Sequence, residues 1–479
     1  MKKNNFISFI FLMLVVAMIA LPNFTPNGAT KLNIKNQKFL PTTFPWSAER
    51  NELSLVNCTN YSPDTYSTIN ITYNGVNRGK NLERKNLERK NLKRKTTEEI
   101  SIAPKETKTF FTNELESFNK LNSKKGTISI DSKTDNVCCY INYYTYDDND
   151  NINSVSFFTN SNIIVGNSYF INNKKLFNKK IKSINLYIHN ISNENFNANI
   201  KSYSKNGRLK KIFELKNLKP NETKVFRLKG KNNITYHILP NKNVDKNSKK
   251  VEYIAYIKVF FEDETILIKP TESFDSSNIE RLKNTVILSN TSEKKINVSA
   301  TIYSNFSKYS TKNILLKPYS QKTLNFKKDI KNIKNPYIKF TEPSNSVVAF
   351  YKYKGKTFPF TSKESLSSND IILGYNLSLG ERGTLSLTNS EDIEAKVNIH
   401  INGEHVKKLT LSPFSQRLVK LNKLLNRKNL IGYIYISSDK KVSAKLNNTI
   451  GKKISYTHKG LAIKDRTFSG IEKPEYIIK

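Results

Sequence analysis

Residues 385–389 read LSLTN, and the same apolar-x-apolar-x-Asn pattern stands at 53–57 (LSLVN), 186–190 (LYIHN) and 286–290 (VILSN). Alternation of period two puts the apolar residues of each copy on one face of a strand, and the Asn suits a turn start. The matching Asn residues are then Asn57, Asn190, Asn290 and Asn389. A second alternating run follows each: Ile69/Ile71/Tyr73, Ala198/Ile200/Ser202, Val298/Ala300/Ile302 and Val397/Ile399/Ile401. Three of these runs end in a strong hairpin signal, Asn74-Gly75, Asn206-Gly207 or Asn402-Gly403, while the third repeat has the weaker Ser304-Asn305.

A proline-led strand comes next in every copy, at Pro104, Pro220, Pro318 and Pro413, where the missing N–H is harmless at a turn or strand start. Short apolar spacings (Leu115/Phe118/Leu121, Ile330/Ile333, Leu421/Leu424/Leu425) suit a helical turn or two, and final strands start at Val137, Val251, Val347 and Val442. The last three Asn landmarks lie 100 and 99 residues apart. The expected fold is all-β: four tandem β-sandwich domains of about 100 residues, immunoglobulin-like in general form, each core closed within its own repeat. The expected boundaries are 1–29 for a signal peptide or N-terminal anchor, 30–155, 156–265, 266–360 and 361–460 for the sandwiches, and 461–479 for a tail.

The order of these elements, with the aromatic-Pro pieces Phe44-Pro45-Trp46 and Phe358-Pro359-Phe360, resembles tandem β-sandwich repeats of bacterial exported and cell-surface proteins. That resemblance covers about residues 38–458 and implies location and modular build, not an activity. The chain departs from it by being poor in Gly and rich in Lys.

Composition bears on partners. Lys and Arg number 79 against 40 Asp and Glu, a formal charge of +39. Such a chain attracts acidic polysaccharide, envelope polymer, nucleic acid or lipid headgroups, although Lys spread along the whole chain also fits diffuse solvated charge. Residues 6–21 (FISFIFLMLVVAMIAL) follow Met1-Lys2-Lys3 without a charge, the pattern of a secretory signal helix. Neither Ala20, with Met18 at −3, nor Ala29, with Asn27, makes a good cleavage site, so cleaved export and an uncleaved anchor both stand. The expected location is extracellular, cell-surface or periplasmic, with membrane contact only through the N-terminal segment.

The most basic stretch is a five-residue unit, NLERK, repeated almost unchanged within 78–95. It lengthens the first repeat beyond the others, so it reads as an insertion in the hairpin after Asn74-Gly75. Leucines every five residues fall about 140° apart on a helix and form no apolar stripe, which disfavours a membrane helix. Arg78, Lys80, Arg84, Lys85, Arg89, Lys90, Lys93, Arg94 and Lys95 are the local candidates for polyanion contact.

Other chemistry is sparse. Of three cysteines, Cys58 falls outside the parity of Leu53 and Leu55, so its best disulfide partner by parity is Cys138; the alternative is three unpaired thiols, with Cys139 a small core residue. Five histidines lack metal-ligand spacing, although His400 and His405 flank the Asn402-Gly403 turn. Asp147, Asn149 and Asn151 imitate a calcium loop, but Ile152 stands where Gly is needed and Phe158 where Glu is needed, so a polar linker is the better reading. No nucleophile elbow, phosphate loop, dinucleotide fingerprint or metalloprotease helix occurs, and no cofactor, metal, catalytic residue or small-molecule substrate is expected. Tyr- and Phe-rich strands such as 138–146 serve core packing or ring stacking. The expected function is non-catalytic binding of anionic polymer; the alternatives are a structural spacer or envelope-assembly component with a protein partner and, behind it, a secreted enzyme or accessory module.

Overall fold

In the computed structural model the described residues lie within 42–462. Outside the description are 1–41, 463–479 and connecting segments, chiefly 76–94, 116–122, 173–180, 242–251, 271–279 and 361–367. The N-terminal apolar run and nearly all of the C-terminal tail therefore fall outside it.

The first sandwich comprises β1 (Thr42–Ser47), β2 (Glu52–Asn60), β3 (Ser67–Gly75), β4 (Lys95–Ile102), β5 (Thr107–Phe111), β6 (Lys125–Ser132), β7 (Val137–Tyr146) and β8 (Ile152–Phe158). Its sheets run β1-β6-β3-β4 and β5-β2-β7-β8. The second adds β9 (Ile164–Val165), β10 (Ser168–Asn172), β11 (Ser183–Asn190), β12 (Phe196–Ser204), β13 (Leu209–Leu218), β14 (Thr223–Leu228), β15 (Ile234–Pro240), β16 (Glu252–Phe260) and β17 (Thr265–Ile268). Its sheets are β10-β15-β12-β13 and β14-β11-β16-β17, with β9 also on β16.

The third holds β18 (Glu280–Arg281), β19 (Thr285–Asn290), β20 (Ile296–Ser304), β21 (Ser307–Leu316), β22 (Gln321–Asn325), β23 (Tyr337–Thr341), β24 (Val347–Tyr353) and β25 (Lys356–Pro359), paired as β18-β23-β20-β21 and β22-β19-β24-β25. The fourth holds β26 (Ser368–Asn376), β27 (Arg382–Asn389), β28 (Ala395–Ile401), β29 (Glu404–Leu411), β30 (Ser415–Lys420), β31 (Ile431–Ile450), β32 (Ile454–Lys459) and β33 (Leu461–Ala462). There the long β31 serves both layers, its first half pairing β26 and β28 and its second half β27 and β32. The all-β tandem sandwich architecture is as the alternation implies. Among the described residues the one helical element is a 3₁₀ turn at Leu421–Lys423. Strand β8 pairs with β7 and β17 with β16, so residues 156–158 belong to the first sandwich and 266–268 to the second.

The recurring Asn is a buried clamp. Asn389 Nδ2 donates to the carbonyls of Ile393, Leu411 and Ser412, and its Oδ1 accepts from the Glu391 N–H. Asn190 and Asn290 make the same kind of bridge from strand end to loop and to the next strand. In the first repeat this residue is Asn60, which bonds Thr65, Ile102 and Ala103 and accepts from Ser62, and not Asn57. The true first copy is Val56-x-Cys58-x-Asn60, three residues later, and an odd shift turns every side chain to the opposite face. Likewise Asn190 faces Tyr253, whereas Val251 lies outside the described residues. The two aromatic-Pro pieces are not equivalent either: Phe44-Pro45-Trp46 lies in a first strand, Phe358-Pro359 in the last strand of the third sandwich.

Each Pro is followed by a residue at positive φ: Lys105 (60°), Asn221 (60°), Tyr319 (53°) and Phe414 (45°). Pro then a left-handed residue is the type II arrangement, and an aromatic there is strained unless something holds it. What holds the two aromatics is the preceding sandwich. Tyr319 stacks on Tyr203 with centroids 4.4 Å apart, and Phe414 on Tyr303 at 4.7 Å.

The sandwiches are not independent beads. The core of the first takes in Tyr187, Tyr256 and Leu267 of the second, and that of the second takes in Ile287, Val348 and Phe350 of the third. In the fourth, Ser386, Thr388 and Ser443 are buried, and the Gln416 carbonyl accepts from Tyr337 of the third. The chain then closes. Asn376 of the fourth donates to Asn57 of the first, and a Cβ added at Gly374 would overlap the Tyr140 ring. In every joint the outer face of the sheet holding the Asn-ended strand packs on the preceding sandwich, a head-to-tail contact that closes after four units.

Two outcomes test this account. Asn389→Ala removes a buried amide serving three carbonyls, so unfolding monitored in urea should show a loss of about 1–3 kcal/mol. Gly374→Val should open the closing joint while each sandwich stays folded, seen as a larger radius of gyration in solution scattering with an unchanged far-UV spectrum.

Candidate functional site

The densest polar chemistry sits in the joint between the first two sandwiches. Along β16, Tyr253, Ala255 and Ile257 face the core of the second sandwich, so Lys258 points out of it, and there it meets the first. Its side chain is 1% exposed. Nζ lies 2.8 and 2.7 Å from the two Glu52 carboxylate oxygens and 2.6 Å from the Tyr143 hydroxyl, which itself donates to Glu52. The Tyr143 and Tyr187 ring centroids are each 5.1 Å from the ammonium.

Burial pushes the Glu52 carboxyl up, but the Lys258 charge and hydrogen bonds from Lys258, Ser47 and Tyr143 leave it below its ordinary value. Burial pulls the Lys258 ammonium down further than Glu52 holds it up. His189 sits nearby, its Nδ1 2.6 Å from the Thr223 hydroxyl and its ring stacked on Tyr256. Burial, then the Lys258 charge, lower it to about 3, so it is neutral near pH 7. With its members buried, the cluster acts as an ionic lock between sandwiches. The sequence signal for it is slight: one Lys inside the apolar run 253–260 (YIAYIKVF).

Of the basic residues singled out in sequence, Lys95 is exposed at the start of β4, opposite Asn74. Arg78, Lys80, Arg84, Lys85, Arg89, Lys90, Lys93 and Arg94 lie outside the described residues. Strands β3 and β4 pair from Asn74–Lys95 inward, and residues 76–94 connect them in the chain. The corresponding β12–β13 hairpin leans on the third sandwich through the Asn206–Ser320 bridge. The β3–β4 hairpin is thus the equivalent of one that faces the next sandwich.

The disulfide is Cys58–Cys139, and Cys138 is the free, buried thiol, its pKa raised to about 12 by burial. The pairing of Cys58 with Cys138 fails for the reason that displaced the Asn. With the strand frame set by Val56 and Asn60, Cys58 faces inward, directly opposite Cys139. His400 and His405 do face each other, with ring centroids 5.2 Å apart, but no group of three metal-ligating side chains exists among the described residues. Asp147 caps the β7–β8 hairpin by accepting from the Asn151 N–H and amide, so this stretch is a turn within the first sandwich rather than a linker. The aromatics of β7 are spent on packing: Tyr143 in the lock, Tyr140 and Tyr144 on the face toward the fourth sandwich.

No family model matches the chain, and no curated protein matches it. Among solved structures it is similar to two B repeat units of the collagen binding protein of Staphylococcus aureus, at 9% identity over 88% of this chain and 99% of that one, with a TM-score of 0.10. A score that low carries no argument, and the fold rests on the strand pairing. No helix among the described residues is long and apolar enough to cross a membrane.

Removing the ammonium strands a buried carboxylate. Lys258→Ala should cost about 3–5 kcal/mol, and the double variant Glu52→Gln, Lys258→Met should recover part of it. Because the fold holds Glu52 below its ordinary carboxylate value, its stabilisation is complete above that ordinary value and is lost as pH falls through the folded one. Thermal melts of wild type and the double variant should therefore converge on acidification below that value.

Proposed function

We propose that the protein is an exported, non-catalytic surface scaffold that binds anionic polymer through basic edge strands held in fixed positions by the closed ring. One observation carries this reading. Strands β13, β14, β21, β22, β29 and β30 place Lys210, Lys224, Lys308, Lys322, Lys408 and Arg417 in solvent, with few acidic neighbours along them. Lysine on an edge also blocks edge-to-edge aggregation, which explains a few such residues in any β protein. A formal charge of +39 on a chain whose joints, the Lys258–Glu52 pair apart, use aromatic, amide and hydroxyl groups goes well beyond that need.

The second reading, a protein partner docked on a strand edge, is favoured by the long edge β21 with its exposed Tyr309 and Leu315. A binding panel separates the two. The purified chain should be retained on immobilised acidic polysaccharide at low salt and released as salt rises, with deletion of 78–95 weakening retention; salt-independent capture of a protein without polymer binding would instead support the partner reading.

A further inference from the structure

The β13–β14 ledge of the second sandwich differs from its counterparts. Strands β13 and β14 are edges of the two different sheets and are consecutive in the chain. Between 205 and 228 they and their flanks carry eight Lys and Arg against two Glu. One of those acids, Glu214, is 2.6 Å from Lys216. The same span is apolar at its surface: Leu209 and Ile212 are each 45% exposed and Val225 38%.

Phe213 pairs with Ile200, whereas the residues paired with the equivalent Ile71, Ala300 and Ile399 are Glu98, Lys312 and Lys407. Phe213 lies edge-on to Phe226 at 5.9 Å, and the Lys211 ammonium sits 4.2 Å from the Phe213 centroid. Only in the second sandwich is this position apolar, and Phe213 and Phe226 are half-buried against its core; the exposed apolar residues beside them are rimmed by one sign of charge, which marks an interaction surface.

We infer that this ledge is the docking site for a linear acidic polysaccharide of the uronic-acid type. The inference rests on the polymer-binding reading above and adds its site and ligand class. The charges come from two sheets and run along a ten-residue strand, about 33 Å, which suits a polymer with regularly spaced carboxylates. Exposed Leu209 and Ile212 offer apolar surface to the C–H faces of sugar rings, which polyphosphate lacks. Nucleic acid fits less well because Lys211 already covers the Phe213 face on which a base would stack. An acidic peptide added to β13 would meet only one of the two edges.

The test uses the full chain and polygalacturonate, with polyphosphate, single-stranded DNA and poly-glutamate as the other arms. The double variant Lys211→Glu, Arg227→Glu should lose about tenfold or more in polygalacturonate affinity, while Lys294→Glu, Lys295→Glu, exposed on the third sandwich, loses about twofold or less. Ile212→Ser should weaken polygalacturonate binding and leave polyphosphate binding unchanged. All three changes are at exposed positions, and circular dichroism with melting controls for folding. Equal losses from both charge reversals, or tighter binding to DNA or poly-glutamate than to polygalacturonate, would overturn the ledge assignment while leaving polymer binding standing. A wild-type chain that binds none of the four polymers overturns both.

Discussion

A strand with two buried faces must satisfy two neighbours at once, and β7, β16, β24 and the second half of β31 are all in that position. In each, one alternate set of residues closes the sandwich that owns the strand, and the other set meets the sandwich before it. The inward set is nearly uniform: Cys139, Ala255, Ala349 and Ala444 occupy one equivalent place, all small enough for the two sheets to approach. The outward set is not uniform, because each joint has a different neighbour. Tyr140, Tyr256, Phe350 and Lys445 are its equivalent members.

The joints fall into two kinds. Between the second and third sandwiches, and the third and fourth, an aromatic forced to positive φ by its Pro-led turn stacks on a tyrosine of the preceding unit. At the corresponding places in the first and second sandwiches stand Lys105 and Asn221, which cannot form that clasp. Their joints rely on other chemistry: Lys258 with Glu52 in one, and Tyr140 laid over Gly374 in the other. Glu381 is the register equivalent of Glu52, and it too is buried, so the two joints lacking aromatic clasps share a buried glutamate.

Much of the fold was legible from period-two alternation, because a strand with a buried face must alternate whatever its neighbours are. The frame of the first repeat was misread because LSLVN at 53–57 is itself alternating. Leu55 is outward yet buried, covered in a cluster that includes Ile450 of the fourth sandwich. A two-faced strand presents two valid alternations three residues apart in their Asn endings, and only the hydrogen bonds of Asn60 choose between them.

Sequence alone sufficed for the repeat, its all-β character and the turn chemistry, because these follow from local spacing and from the backbone preferences of Pro, Gly and Asn. Tertiary structure decided the Cys58–Cys139 bond, the burial of Lys258 and the closing of the fourth sandwich on the first. Each of these depends on which face of a strand points where, and on a partner 81, 206 or 319 residues away in the chain, a distance across which no local pattern carries information.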